Sequence, residues 1–113
     1  MSLEIDYRAL DGELVSKMVI AMAYLTIEIP ESHSLKEKRS TIRPIIKRVQ
    51  NRFNVSIAEI DHLESWQVSG VGIVCVSNAR RHAEEMLQNV IGFIEENLDG
   101  GHLAEVETET QTF

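Results

Sequence analysis

Residues 18–29 read MVIAMAYLTIEI. Alternate positions put Val19, Ala21, Ala23, Leu25, Ile27 and Ile29 on one face and Met18, Ile20, Met22, Tyr24, Thr26 and Glu28 on the other. Both faces are largely apolar, the mark of a strand in the middle of a sheet. Pro30 ends the run, having no N–H to give to a neighbouring strand. The run is too short to span a bilayer. The segment before it carries Glu4, Asp6, Asp11 and Glu13 against Arg8 and Lys17, the wrong sign for a secretory leader.

Outward from this strand the chain alternates cleanly. Ser34 followed three residues later by Glu37 is a capping-box pattern, and Leu35, Ile42, Ile45, Ile46, Val49 and Phe53 then fall on one helical stripe. Pro44 interrupts that stripe and predicts a kink or a split. Residues 54–60 predict a second strand, 61–65 a polar turn, and 66–77 a third strand. Gly70 and Gly72 predict a bulge or a close backbone approach in that strand. Ser77 or Asn78 is the expected cap of a second helix, with Ala83, Met86, Leu87, Val90, Ile91, Ile94 and Leu98 as its apolar stripe and Gly100 and Gly101 as its stop. Residues 103–113 alternate as a fourth strand, Ala104, Val106, Thr108, Thr110 and Thr112 against Glu105, Glu107, Glu109 and Gln111.

The order strand, helix, strand, strand, helix, strand predicts an α+β fold. It is a βαββαβ ferredoxin-like two-layer sandwich, a four-stranded antiparallel sheet with both helices on one face. Residues 18–113 form one domain; residues 1–17 read as an extension, flexible or in part an expression remnant. A single cysteine, Cys75, excludes an internal disulfide framework and a thiolate metal cage, and the cytoplasm is the expected compartment. Cys75 lies in the most apolar strand and is expected in the core.

The net charge of −7 hides its distribution. Seven of the eleven Lys and Arg residues lie between Lys36 and Arg52, with Glu37 the one acid among them, so this stretch carries +6 and the remainder −13. From His82 onward there is no Lys or Arg. Lys36, Arg43 and Lys47 line up on the helix face away from the apolar stripe, with Arg39 beside them. Such a stripe suits phosphates of RNA, or is a solvated face paired with the acidic body. In this topology Arg80 and Arg81, which break the macrodipole rule at the start of the second helix, are expected to join Lys47, Arg48 and Arg52 in one basic end for RNA or an acidic partner. Glu95, Glu96 and Asp99 are expected near the start of the first helix.

Three further groups carry weaker chemistry. Lys38 falls on the apolar side of the first helix; it either snorkels or joins Ser32, His33, Ser34 and the free helix N–H groups as an anion site. Glu59, Asp61, His62 and Glu64 have oxygen and imidazole donors, but strand alternation sends neighbours to opposite faces, so no metal site is assigned and a polar hairpin with Trp66 packed beside it is the simpler reading. Met18, Ile20, Met22 and Tyr24 predict an apolar patch on the open sheet face, an interface for self-association into a homo-oligomer. Stacked RNA bases are not expected there, because Tyr24 is the lone aromatic and Glu105, Glu107 and Glu109 repel phosphate.

The segments Glu31–Ser40 (ESHSLKEKRS), Phe53–Glu59 (FNVSIAE), Asp61-His62 and Trp66 resemble the YlxP-like family of uncharacterised bacterial proteins, from Met18 to the C-terminus. The resemblance implies a ferredoxin-like fold and no established activity. It also implies genes often placed near those for translation initiation and ribosome maturation factors, an association rather than a mechanism. No P-loop, dinucleotide fingerprint or nucleophile elbow is present, so no cofactor and no catalytic residue is assigned and the balance leans away from an enzyme. The leading expectation is an RNA- or ribosome-associated factor working through residues 36–52, and the alternative a self-associating module that binds protein or a small ligand through the open sheet face. Neither membrane binding nor sequence-specific DNA binding is expected.

Overall fold

The first strand, β1 (Val19–Glu28), lies between two partners, as its two apolar faces require. The computed structural model describes residues 18–113; the reading of residues 1–17 as an extension lies outside them. After β1 come α1 (Leu35–Arg52), β2 (Ser56–Asp61), β3 (Val68–Ser77), α2 (Arg80–Asn97) and β4 (His102–Thr112). The sheet order is β2-β3-β1-β4 and every neighbouring pair is antiparallel. This is the split βαβ arrangement of the ferredoxin-like sandwich.

The core lies between the sheet and the helices. Val19, Ala21, Ala23, Leu25 and Ile27 of β1 and Val71, Ile73 and Cys75 of β3 meet Ile42, Ile45 and Val49 of α1 and Ala83, Leu87, Val90, Ile91 and Ile94 of α2. These are the helical positions that repeat every three or four residues, so one stripe of each helix is buried and the rest faces water. Cys75 is 2% exposed; its Sγ–H donates to the Ala83 carbonyl at 3.2 Å, and burial pushes its thiol pKa up.

Three local expectations are corrected. Pro44 does not split α1, which runs unbroken from Leu35 to Arg52. Pro44 and Ser40 are both exposed, so the Ser40 carbonyl that loses its helical donor faces solvent at little cost. α2 is not capped by Ser77 or Asn78: its N-cap is Ala79, which gives no side-chain hydrogen bond. Ser77 Oγ instead accepts from the Ala79 N–H at 3.1 Å, which delays the helix start. In β4 a register shift opposite Thr26 and Ile27 puts Leu103, not Ala104, on the core side; Leu103 packs on the core while Ala104 is exposed. One inserted residue reverses the faces that strict alternation predicts.

Candidate functional site

The structure divides the seven cations of α1 into three groups. Lys36, Arg39, Arg43 and Lys47 are exposed along the outer face. Among the described residues no carboxylate lies within 4.0 Å of any of them. Glu37, the one acid in this stretch, is occupied at the cap. Its Oε2 accepts from the His33 N–H and from Ser34 Oγ, while its own N–H donates to Ser34 Oγ at 3.1 Å. Lys36, Arg39, Ser40, Arg43 and Pro44 line a shallow depression of about 410 Å³. From Lys36 to Lys47 the stripe spans about 16 Å of helix axis.

Arg48 and Arg52 turn toward α2. Their guanidinium carbons lie 5.2 and 5.0 Å from the centre of the Phe93 ring. Phe93 also meets Phe53 edge-on at 5.5 Å. Arg48 Nη2 donates to Asn97 Oδ1 at 3.1 Å, and Asn97 Nδ2 donates to the Phe93 carbonyl at 2.8 Å. Cation–π contact of this kind is worth about 0.5–1 kcal/mol at exposed sites, so these two arginines pack the helices together. Asp99 shares a groove with Ser40, Thr41, Pro44 and Arg48, so the acidic end of α2 lies beside the middle of α1 and not at its start, as expected from the sequence. Glu96 borders a different groove, with Arg52 and Phe93.

Arg80 and Arg81 do not share these contacts. Each pairs within its own helix, Arg80 with Glu84 at 3.4 Å and Arg81 with Glu85 at 2.9 Å. Phe93, which Arg48 and Arg52 contact, is thirteen residues from Arg80, about 20 Å along the axis. No contact among the described residues joins the two groups into the single basic end expected from the sequence.

Lys38 is the seventh cation and is 0% exposed. Its ammonium donates to the His62 carbonyl at 2.8 Å and the Val68 carbonyl at 3.1 Å, and meets Glu59 Oε2 at 3.1 Å. All three donors are used. Glu59 Oε2 also accepts from Ser69 Oγ at 2.8 Å, and Ser69 is itself fully buried. The group ties α1 to both ends of the β2–β3 connection. His62 holds a positive φ of 57°, and this turn aims its carbonyl at Lys38. The anion-site reading is therefore corrected: the Lys38 donors are all spent on His62, Val68 and Glu59 and leave none for an anion beside Ser32, His33 and Ser34. Ser32 Oγ donates to the Ser34 carbonyl, and Ser34 caps the helix. The sequence alone did not reveal Glu59 as the partner of Lys38, with Ser69 behind it, although a lysine on an apolar stripe calls for a buried acceptor. Glu59, Asp61, His62 and Glu64 form no metal-binding group among the described residues, because Glu59 turns inward to Lys38 and Asp61 outward. Trp66, expected to pack beside this hairpin, is 55% exposed.

The open sheet face is where the interface residues fall. Ile20, Met22 and Tyr24 are half-buried and face away from the helices, and Met18 is half-buried beside them, its carbonyl accepting from the Phe113 N–H. Tyr24 Oη donates to Asp61 Oδ2 at 2.9 Å. This bond passes over Gly70, where a Cβ would stand 2.5 Å from Tyr24 Oη. Holding the proton for Asp61 raises the Tyr24 pKa, to which burial, Asp61 and the nearby Glu107 and Glu105 charges add. The Asp61 pKa is lowered, first by the His62 N–H and then by Tyr24.

A ferredoxin-like sandwich with a cationic outer helix face is the class these observations define. Residues 20–108 match the family described as "Protein of unknown function (DUF503)", and the chain belongs to that family. It is 44% identical over 77 residues to the "Uncharacterized protein YlxP" of Bacillus subtilis (strain 168), covering 68% of this chain and 84% of that one. Among solved structures, the de novo designed protein Foldit4 superposes with a TM-score of 0.51 at 15% identity, over 86% of this chain and 99% of that chain. A C-terminal segment of the alpha subunit of aIF2 from Pyrococcus abyssi gives 0.49 at 15% identity, over 92% of this chain and 55% of that chain. At such identity the likeness to Foldit4 concerns the fold alone. No helix among the described residues is long and apolar enough to cross a membrane.

Proposed function

We propose that this chain is a non-enzymatic RNA- or ribosome-associated factor that binds through the outer face of α1. One observation carries the reading. Lys36, Arg39, Arg43 and Lys47 stand exposed on one face with no carboxylate within 4.0 Å among the described residues, in a chain of net charge −7. Cations held apart on a rigid helix suit a row of phosphates, whose condensed counterions are released on contact. The contact is to backbone rather than base, because the aromatic rings beside α1 are already covered by Arg48 and Arg52. The acidic sheet face on the opposite side repels RNA, so approach is oriented toward α1.

The test is fluorescence anisotropy of a labelled ribosomal RNA fragment with the full chain. Arg43→Glu combined with Lys47→Glu abolishes binding, and Tyr24→Ala leaves it unchanged. The reverse pattern moves the site to the sheet, and no binding by the unmodified chain at low salt refutes the proposal.

A further inference from the structure

The sheet face turned away from the helices carries an apolar strip two strands wide. Ile20 and Met22 of β1 stand in register with Val76 and Val74 of β3. Ile60 of β2 closes over Gly72, where an added Cβ would lie 2.8 Å from Ile60 Cδ1. Val74, Val76 and Ile60 remain 40%, 56% and 57% exposed. A groove of about 520 Å³ lies over the Met22, Val74 and Ile60 part of this strip and reaches Tyr24, Glu107 and Glu109. Along one long side stand Glu105, Glu107 and Glu109 of β4, opposite Thr26, Tyr24 and Met22 and on the same face. None of the residues paired on this face is Lys or Arg.

We infer that this face docks a basic amphipathic helix of a partner protein, its apolar side on Met22, Val74 and Val76 and its Lys or Arg residues against Glu105, Glu107 and Glu109. The dimensions fit. Two strands about 4.8 Å apart present a strip about 10 Å wide, the diameter of one helix. Ile20 to Tyr24 covers about 13 Å of strand, the length of two to three helical turns. The charge selects the occupant. A second copy of this chain, set face to face about a two-fold axis lying in the interface, puts β4 on its counterpart or on β2. The glutamates then meet glutamates or the Asp61 end, and carboxylates lose water with no cation in return. RNA is repelled by the same row. A helix with cations flanking an apolar stripe satisfies the strip and the row together. This surface lies on the opposite side of the sheet from α1, so it stands or falls independently of RNA binding.

The experiment titrates the full chain into a fluorescein-labelled helical peptide of about 16 residues with leucines at i, i+3, i+4 and i+7 and lysines along both flanks. A twin peptide carries glutamates in place of the lysines. The lysine peptide binds saturably and the glutamate twin binds at least about tenfold more weakly. Glu105→Lys with Glu107→Lys and Glu109→Lys reverses that preference. Val74→Asp removes binding of the lysine peptide. Because that substitution makes the chain more acidic, association by net charge alone would instead strengthen. Arg43→Glu with Lys47→Glu leaves peptide binding unchanged. Circular dichroism melts confirm that each variant folds. The inference is overturned if neither peptide binds, if both bind equally, or if the triple reversal has no effect. A concentration-dependent dimer in sedimentation that Val74→Asp dissolves also overturns it, by assigning the face to a second copy.

Discussion

Lys38→Met tests the most consequential arrangement in the fold. The substitution keeps the chain's apolar length and removes the ammonium. The Lys38 side chain is fully buried and Glu59 is 19% exposed, so removal leaves a mostly desolvated carboxylate with Ser69 as its remaining side-chain donor. The carbonyls of His62 and Val68 lose their contact as well. Breaking a buried pair from one side costs about 3–5 kcal/mol. The partial access of Glu59 to water places this case near the lower end, about 3 kcal/mol. At about 4–8 °C per kcal/mol for a domain of this size, Tm falls by about 12–24 °C. Urea unfolding followed by circular dichroism measures the loss directly. Lys38→Met combined with Glu59→Leu recovers part of the loss, because no charge is then stranded. It remains about 1–2 kcal/mol below the unmodified protein, since the two carbonyls still lack a donor. A Lys38→Met protein within about 1 kcal/mol of the parent, or a double variant no better than the single, refutes the clamp.

Other outcomes follow from the same geometry. Ala79→Asp supplies the missing α2 cap and a carboxylate at the positive end of the helix, raising stability by about 1 kcal/mol in urea unfolding. Gly70→Ala puts a methyl group against Tyr24 Oη and Asp61 Cβ; it costs about 1–3 kcal/mol and breaks the Tyr24–Asp61 bond, seen as a fall of the Tyr24 pKa toward that of a free phenol. The same bond sets a pH window. Asp61 has a lowered pKa, so its contribution is present above the ordinary carboxyl range and is lost as pH falls through the folded value. Tyr24 has a raised pKa, so its contribution is present below the ordinary phenol value and is lost as pH rises through the folded value. Asp61→Asn lowers the ultraviolet-monitored Tyr24 pKa, read in a Tyr7→Phe background, and an unchanged titration counts against the bond.

Most of the fold was legible because its signals are periodic. The two apolar faces of residues 18–29 placed β1 centrally, and the stripes of α1 and α2 named their buried residues. The misreadings were local. Pro44 reads as a breaker, but its lost bond falls on the wet side of the helix. The bulge that exchanges Ala104 for Leu103 depends on pairing with β1, which alternation within one strand does not encode. Among the site residues, helical geometry grouped Lys36, Arg39, Arg43 and Lys47 correctly. It could not distinguish them from Arg48 and Arg52, because that split depends on where Phe93 of α2 stands. The partners of Lys38 are 21 to 30 residues away in the chain and come together only when α1 lies on the hairpin.

The salt dependence of RNA binding tests the central claim most directly. Four phosphate contacts by Lys36, Arg39, Arg43 and Lys47 predict a slope of log K against log salt near −3 for single-stranded RNA, a loss of about 50-fold between 50 and 200 mM. Arg43→Glu with Lys47→Glu removes binding even at the lower salt. Binding that is indifferent to salt, or that survives this double reversal, contradicts the account.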